Sequence, residues 1–165
     1  MTVMATTTAT TKVTTKVSII GGAGYGAAEI LRHLLVRDDV QLLRVSSKDH
    51  IGKSLGDVHK TLAGYTTLKL EDLPPKEAAA GADVVFLGMP HKITAKVAME
   101  LFELPCKILD LSGDFRLKSL VDYERDYAPG HPCPERLGTF VYGLPELFRE
   151  SIKGARYVAS PGCFA

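Results

Sequence analysis

Residues 16–27 read Lys16-Val17-Ser18-Ile19-Ile20-Gly21-Gly22-Ala23-Gly24-Tyr25-Gly26-Ala27. A short apolar run enters a cluster of glycines, which predicts a buried strand ending in a tight turn. Beyond the turn, Ala27, Ile30, Leu31, Leu34 and Leu35 recur at helical spacing, so residues 25–36 are predicted to be an amphipathic helix. Read from Gly22 the turn fits G-x-G-x-x-A, and read from Gly21 it fits G-x-x-G-x-x-A. Both readings imply the same chemistry. Positions without side chains let the backbone approach a pyrophosphate, and the following helix N-terminus offers unpaired N–H groups to the anion. A glycine cluster alone also makes plain turns, but the strand before it and the helix after it are the context of a dinucleotide fingerprint. Gly21, Gly22, Ala23, Gly24, Tyr25 and Gly26 are therefore candidate cofactor-binding residues.

Outward from this turn, strand and helix patterns alternate. Residues 40–45 read as a second strand, followed by a Gly- and Ser-containing loop over 46–56. A short strand is predicted at 66–70, closed by Pro74-Pro75, with an Ala-rich helix leading to Gly81. Residues 83–88 form a strongly apolar strand. After Pro90 a helix is predicted with Ile93, Val97, Ala98 and Leu101 on its buried face. Residues 107–111 make another strand, 122–134 are expected to be an irregular excursion, and 156–160 form the last strand. Alternation of this kind predicts an α/β fold, a Rossmann-type doubly wound and mainly parallel sheet. The expected division is a disordered Thr-rich tail at 1–15 and a dinucleotide-binding domain at 16–165. A doubly wound sheet normally feeds another helix after such a strand, so the chain is expected to be part of something larger.

Lys+Arg number 20 against Asp+Glu 19, so the net charge is +1, and nothing in that balance favours nucleic acid or an anionic membrane as partner. No apolar run has the length of a membrane span. The tail lacks the apolar centre of a secretory signal and the Arg of a typical organelle transit segment, so a cytoplasmic location is expected, with an organelle matrix as the alternative. The three cysteines, Cys106, Cys133 and Cys163, form no metal-ligand cluster, and no metal is expected.

The end of the second strand bears on the choice of dinucleotide. NAD sites usually place Asp or Glu there, to hold the ribose 2′-OH. Here the residues are Ser46, Ser47 and Lys48, two hydroxyls and a cation that suit a 2′-phosphate, with Asp49 partly offsetting the charge. NADP is the expected cofactor. Cys163 follows the last strand and Pro161-Gly162, a place that can aim a thiol at the cofactor crevice.

Several stretches share a family likeness. Residues 21–29 (GGAGYGAAE) resemble the glycine turn of N-acetyl-gamma-glutamyl-phosphate reductases. Residues 109–117 (LDLSGDFRL), 141–147 (VYGLPEL) and 160–165 (SPGCFA) look like three further motifs of that family in the same order. Residues 46–59 and 87–92 are similar as well. The resemblance implies a catalytic Cys163 that attacks an acyl phosphate, expels phosphate and forms a thioester, which hydride from NADPH reduces to an aldehyde. It further implies that Pro90, His91, Ser112 and Gly113 line the cofactor site. Arg116 becomes a candidate for the substrate phosphate or carboxylate, against the alternative of a structural pairing with Asp114. In this family the acid/base histidine and the main oligomer interface belong to a second α/β domain beyond the cysteine. The full-length protein is therefore expected to be a homo-oligomer, and the 165-residue chain alone to be inactive.

Two departures matter. Ala23 and Gly26 stand where the family often has Ser or Thr. The cysteine motif reads Pro161-Gly162-Cys163-Phe164-Ala165 where P-G-C-Y-P-T is common. The second departure leaves the acyl group open, including carrier-bound and aminoadipyl substrates. Aspartate-semialdehyde dehydrogenase and a non-catalytic NADP-binding module remain competing readings.

Overall fold

The computed structural model describes residues 14–163 and 165. The expected disordered tail lies outside the described residues except at its end, where Thr15 already pairs with Val40 in the sheet. Among the described residues seven strands form one parallel sheet: β1 Thr15–Ile20, β2 Val40–Ser46, β3 Leu70–Glu71, β4 Val84–Leu87, β5 Lys107–Asp110, β6 Val141–Tyr142 and β7 Tyr157–Ala159. Every strand pair is parallel, so the expected Rossmann-type α/β sheet is realised. The described helices are α1 Tyr25–Leu34, α2 Leu55–Val58, α3 Pro75–Ala78, α4 Ile93–Leu101, α5 Leu120–Asp126 and α6 Pro145–Gly154.

The strand order β3-β2-β1-β4-β5-β7-β6 puts a switch point between β1 and β4. The chain builds outward through β2 and β3, then returns to the other side of β1. Crevices at such points, outside the carboxyl ends of the strands, are where doubly wound sheets bind ligands. Ser46, Ile20, Leu87, Asp110, Ala159 and Tyr142 pair in sequence across the sheet. Gly21, Gly88, Leu111 and Ser160 each follow one of these residues, so the segments carrying the predicted site residues leave the sheet along one edge.

Both faces of β1 are buried from Val17 to Ile20, which is why three of these four residues are apolar. Ile19 packs with Leu31 of α1, with Val45, and with Leu55 and Leu62 from the 55–62 segment. On the other face Ile20, Val85, Leu87 and Ile108 meet α4 and an aromatic group in which Phe115 stacks on Phe140 at 4.1 Å.

Four expectations need correction. The residues of α4 that are buried are Thr94, Ala95, Ala98 and Leu101, while Ile93 is exposed. Lys92 adopts φ 65° and sets a helix start that turns the small Thr94 and Ala95 toward the sheet. Residues 122–134 are not wholly irregular. Ser119 accepts a bond from the Asp122 N–H and caps α5, which the buried Tyr123 anchors. The strand expected at 66–70 is β3, only Leu70–Glu71, because Lys69 instead makes an antiparallel bridge to Ser54. The 46–56 loop ends in α2, whose cap is Ser54. Helix α6, for which no element was expected, buries none of its residues.

Candidate active-site cleft

The glycine turn is shaped by close approach. A Cβ on Gly21, where φ is 95°, would lie 2.6 Å from the Gly88 backbone, and one on Gly22 would lie 2.1 Å from Cγ1 of Val45. The N–H groups of Gly21 and Gly22 both donate to the Ser46 carbonyl, at 2.8 and 2.9 Å. Gly24 caps α1 without any side-chain hydrogen bond, so the first turn of α1 presents open N–H groups. Tyr25 is 93% exposed beside them. These features fit a dinucleotide pyrophosphate: the backbone is bare, the helix is long enough to carry a dipole, and its N-terminus is free.

The N-terminus of α4 differs, because a carboxylate already fills it. Asp114, fully buried, accepts from the Lys92 N–H at 3.0 and 2.8 Å, from the Ala95 N–H at 2.9 Å and from the Tyr123 hydroxyl at 2.9 Å. That bond and burial, the latter first, push the Tyr123 phenol up from its ordinary value. Asp114 therefore serves α4, and the alternative of an Asp114–Arg116 pair is not realised. Asp110 accepts the Ser112 N–H at 2.7 Å, but its second oxygen is buried without a partner. Burial pushes its carboxyl up to about 6 despite that bond.

Of the predicted residues, Gly26, Pro90, His91, Ser112, Arg116 and Cys163 line one cleft of about 980 Å³. His91 accepts the Gly113 N–H on Nδ1 at 2.9 Å, which leaves Nε2 as the proton-bearing nitrogen of the neutral ring. That bond uses the Gly113 N–H, and the Ser112 hydroxyl is buried and accepts the Asp114 N–H at 3.1 Å. Ser112 and Gly113 thus shape the loop from within. Arg116 clasps the edge of the sheet. Its Nε donates to the Ser160 carbonyl at 2.7 Å and its Nη2 to the Leu111 carbonyl at 3.0 Å. Its Nη1 lies 3.4 Å from the Tyr127 hydroxyl and beside Gly162. Among the described residues no carboxylate pairs with this guanidinium. Cys163 is exposed, whereas Cys106 and Cys133 are buried. Burial pushes the Cys106 thiol up, and pushes that of Cys133 up to about 12.

Ser46, Ser47 and Lys48 leave the sheet next to the glycine turn but do not line this cleft. Ser46 Oγ faces the Leu73 carbonyl at 3.5 Å and Ser47 Oγ accepts the Asp49 N–H at 3.0 Å, so both hydroxyls are engaged inside the protein. Lys48 is exposed and pairs with Asp72 at 2.5 Å.

Three residues outside the predicted site support it. Asp114 and Tyr127 stand beside Arg116 and His91, and the Tyr127 ring meets that of His91 edge-on at 5.3 Å. His59 reaches the glycine turn from α2, with Nε2 2.9 Å from the Gly22 carbonyl. The closeness of Asp114 to Arg116 in the chain was a visible signal, although it pointed to the wrong partner.

Residues 16–155 match the family described as semialdehyde dehydrogenase, NAD binding domain. The chain is 42% identical over 148 residues to N-acetyl-gamma-glutamyl-phosphate reductase from Magnetococcus marinus, covering 90% of this chain and 42% of that protein. It is 40% identical over 149 residues to the LysW-L-2-aminoadipate/LysW-L-glutamate phosphate reductase of Sulfurisphaera tokodaii, covering 90% and 43%. It spans about two fifths of the length of these curated relatives. Aspartate semialdehyde dehydrogenase II from Vibrio cholerae shares the fold, with a TM-score of 0.63 at 17% identity over 92% of this chain and 39% of that one. The Candida albicans aspartate semialdehyde dehydrogenase solved with NADP does so at 0.61 and 12%, over 92% and 43%. The chain belongs to the semialdehyde dehydrogenase family, as its NAD-binding domain.

Proposed function

We propose that this chain is the cofactor-binding part of an NADPH-dependent acyl-phosphate reductase with Cys163 as its nucleophile. The observation that carries the reading is one cleft shared by Cys163, an arginine with no carboxylate partner among the described residues and the first turn of α1. The Cys163 thiolate attacks the acyl carbon, the carbon–oxygen bond to phosphate breaks, and phosphate leaves with the electron pair. A thioester remains. A dinucleotide, when bound against the first turn of α1, would supply the hydride that reduces the thioester carbonyl carbon. The carbon–sulfur bond then breaks, Cys163 leaves as thiolate and an aldehyde departs. Arg116 has its Nε and one Nη2 proton committed to carbonyls and one Nη1 proton directed at Tyr127, which fixes the guanidinium plane and leaves its charge and the second Nη1 proton for an anionic group of the substrate.

The substrate we favour is N-acetyl-glutamyl 5-phosphate, giving the 5-semialdehyde of arginine biosynthesis. A second reading is a LysW-linked aminoadipyl or glutamyl phosphate, favoured by the Phe164-Ala165 departure after the cysteine and by similarity to the Sulfurisphaera tokodaii enzyme. For the cofactor, Lys48 supports NADP, because a 2′-phosphate can draw the exposed ammonium away from Asp72.

The test joins this chain to the C-terminal part of the Magnetococcus marinus relative and follows acyl-phosphate-dependent NADPH oxidation. Turnover of N-acetyl-glutamyl phosphate that vanishes in Cys163→Ala is expected. Turnover that survives this substitution would contradict the nucleophile, and turnover of the LysW-linked substrate alone would select the second reading. In the chain itself, Lys48→Ala should weaken NADPH binding and spare NADH. Unchanged NADPH binding with weakened NADH would make NADP the wrong cofactor.

A further inference from the structure

We propose that His59 is a positioning residue for the cofactor, holding the Gly22 carbonyl so that the Ala23 N–H faces the pyrophosphate. The inference rests on the dinucleotide reading above and extends it to a residue outside the glycine turn.

His59 is buried, and its backbone is fixed on both sides. Its N–H donates to the Leu55 carbonyl at 2.8 Å, and its own carbonyl accepts the Leu62 N–H at 2.8 Å. Leu55 and Leu62 sit in the same apolar cluster as Ala27 and Leu31 of α1, so the core delivers the ring to the turn. Its Nε2 lies 2.9 Å from the Gly22 carbonyl oxygen. A carbonyl only accepts, so the ring is the donor and Nε2 carries hydrogen.

A trans peptide is planar, with its C=O and N–H pointing in opposite directions. With the Gly22 carbonyl drawn to His59, the Ala23 N–H points away from the ring, and it has no partner among the described residues. The preceding peptide is fixed independently, because the Gly21 and Gly22 N–H groups both bind Ser46. What remains free is rotation at Gly22 itself, a residue whose backbone is unusually permissive. Flipping the Gly22–Ala23 peptide would turn a carbonyl oxygen toward the anion. His59 opposes that flip, and the Ala23 N–H then joins the open first turn of α1 in one anion-binding concavity.

The experiment compares His59→Leu, which removes the donor, with His59→Gln, whose amide places an N–H near the Nε2 position. NADPH, NADH and adenosine 2′-monophosphate, which lacks a pyrophosphate, are titrated into each chain below its unfolding range. His59→Leu should bind both dinucleotides about tenfold more weakly, the scale of one hydrogen bond. It should bind the monophosphate as the parent does, and His59→Gln should recover most of the loss. A nitrogen-15 spectrum of the ligand-free chain should show the neutral His59 ring protonated on Nε2 and bare on Nδ1. Undiminished dinucleotide binding by His59→Leu, equal loss of the monophosphate, or the opposite tautomer would each overturn the inference alone. Failure of the parent chain to bind either dinucleotide would overturn the cofactor reading and this inference with it.

Discussion

Replacing Asp114 with Ala removes the acceptor on which the start of α4 and a buried tyrosine converge. Three donors are left without a partner: the N–H groups of Lys92 and Ala95 and the Tyr123 hydroxyl. A hydrogen bond to a charged group contributes about 1.5–3 kcal/mol, and part of that gross gain offsets the cost of desolvating the carboxylate. The net loss on truncation should be about 3–5 kcal/mol. In a domain of this size each kcal/mol moves the melting temperature by roughly 2–4 °C, so Tm should fall by about 10 °C. Asp114→Asn should cost less, about 1–2 kcal/mol, because one oxygen remains for the amides and the Tyr123 hydroxyl can turn to accept from the new NH2. Tyr123→Phe, which loses a single bond but leaves the amides satisfied, should cost about 1 kcal/mol. Urea denaturation of the nucleotide-free chain at neutral pH, followed by circular dichroism, measures all three. Asp114→Ala within about 1 kcal/mol of the parent, or Asn as damaging as Ala, would refute the role given to this carboxylate.

The remaining predictions concern the pH response and the glycine turn. The Asp110 carboxyl is raised to about 6, so the folded chain holds this proton more tightly than the unfolded chain does. Its favourable contribution is complete below the unfolded value near 4 and is lost as pH rises through 6, a swing of about 3 kcal/mol. Asp110→Asn should therefore raise stability at pH 7.5 and flatten the urea midpoint between pH 4 and 6; an unchanged pH profile would contradict the burial argument. Gly22→Ala should abolish detectable NADPH binding in a calorimetric titration, because its Cβ would overlap the Val45 side chain, whereas Gly26→Ala has its nearest contact at 3.7 Å and should bind normally. Equal behaviour of the two variants would disprove the close-approach account of the turn.

The parts of the fold that were legible in the sequence are those where burial writes a period into the chain. β1, β2 and β4 contribute side chains to both apolar clusters and α1 and β5 each to one, so their apolar spacing survives in the sequence. The parts that were not legible are held by single contacts. α5 depends on a Ser119 cap and one buried tyrosine, and α6 lies on the surface, so neither carries a long apolar stripe. β3 is only two residues long, and its position is set by the Lys69–Ser54 bridge rather than by propensity.

The candidate site divides along the same line. Gly21, Gly22 and Gly24 could be read because their lack of a side chain is itself the signal. The position of Cys163 at the cleft could be read from its place after a strand. The partners of Asp114 and the reach of His59 could not be read. Asp114 binds residues 19 to 22 positions earlier in the chain, and His59 binds across 37 positions. Ser46 and Ser47 show the converse. Their residue type suits a phosphate, yet local geometry turns both hydroxyls inward and leaves Lys48 as the group that can favour NADP.

On the proposed function, Cys163 and the nicotinamide end of the dinucleotide share one cleft. The most direct measurement is the alkylation rate of each thiol by iodoacetamide, resolved by mass spectrometry, with and without saturating NADPH. Cys163 should react while the buried Cys106 and Cys133 do not, and NADPH should slow its reaction several-fold where adenosine 2′-monophosphate, which lacks the nicotinamide end, does not. Alkylation of Cys163 at the same rate with and without bound NADPH would contradict the account.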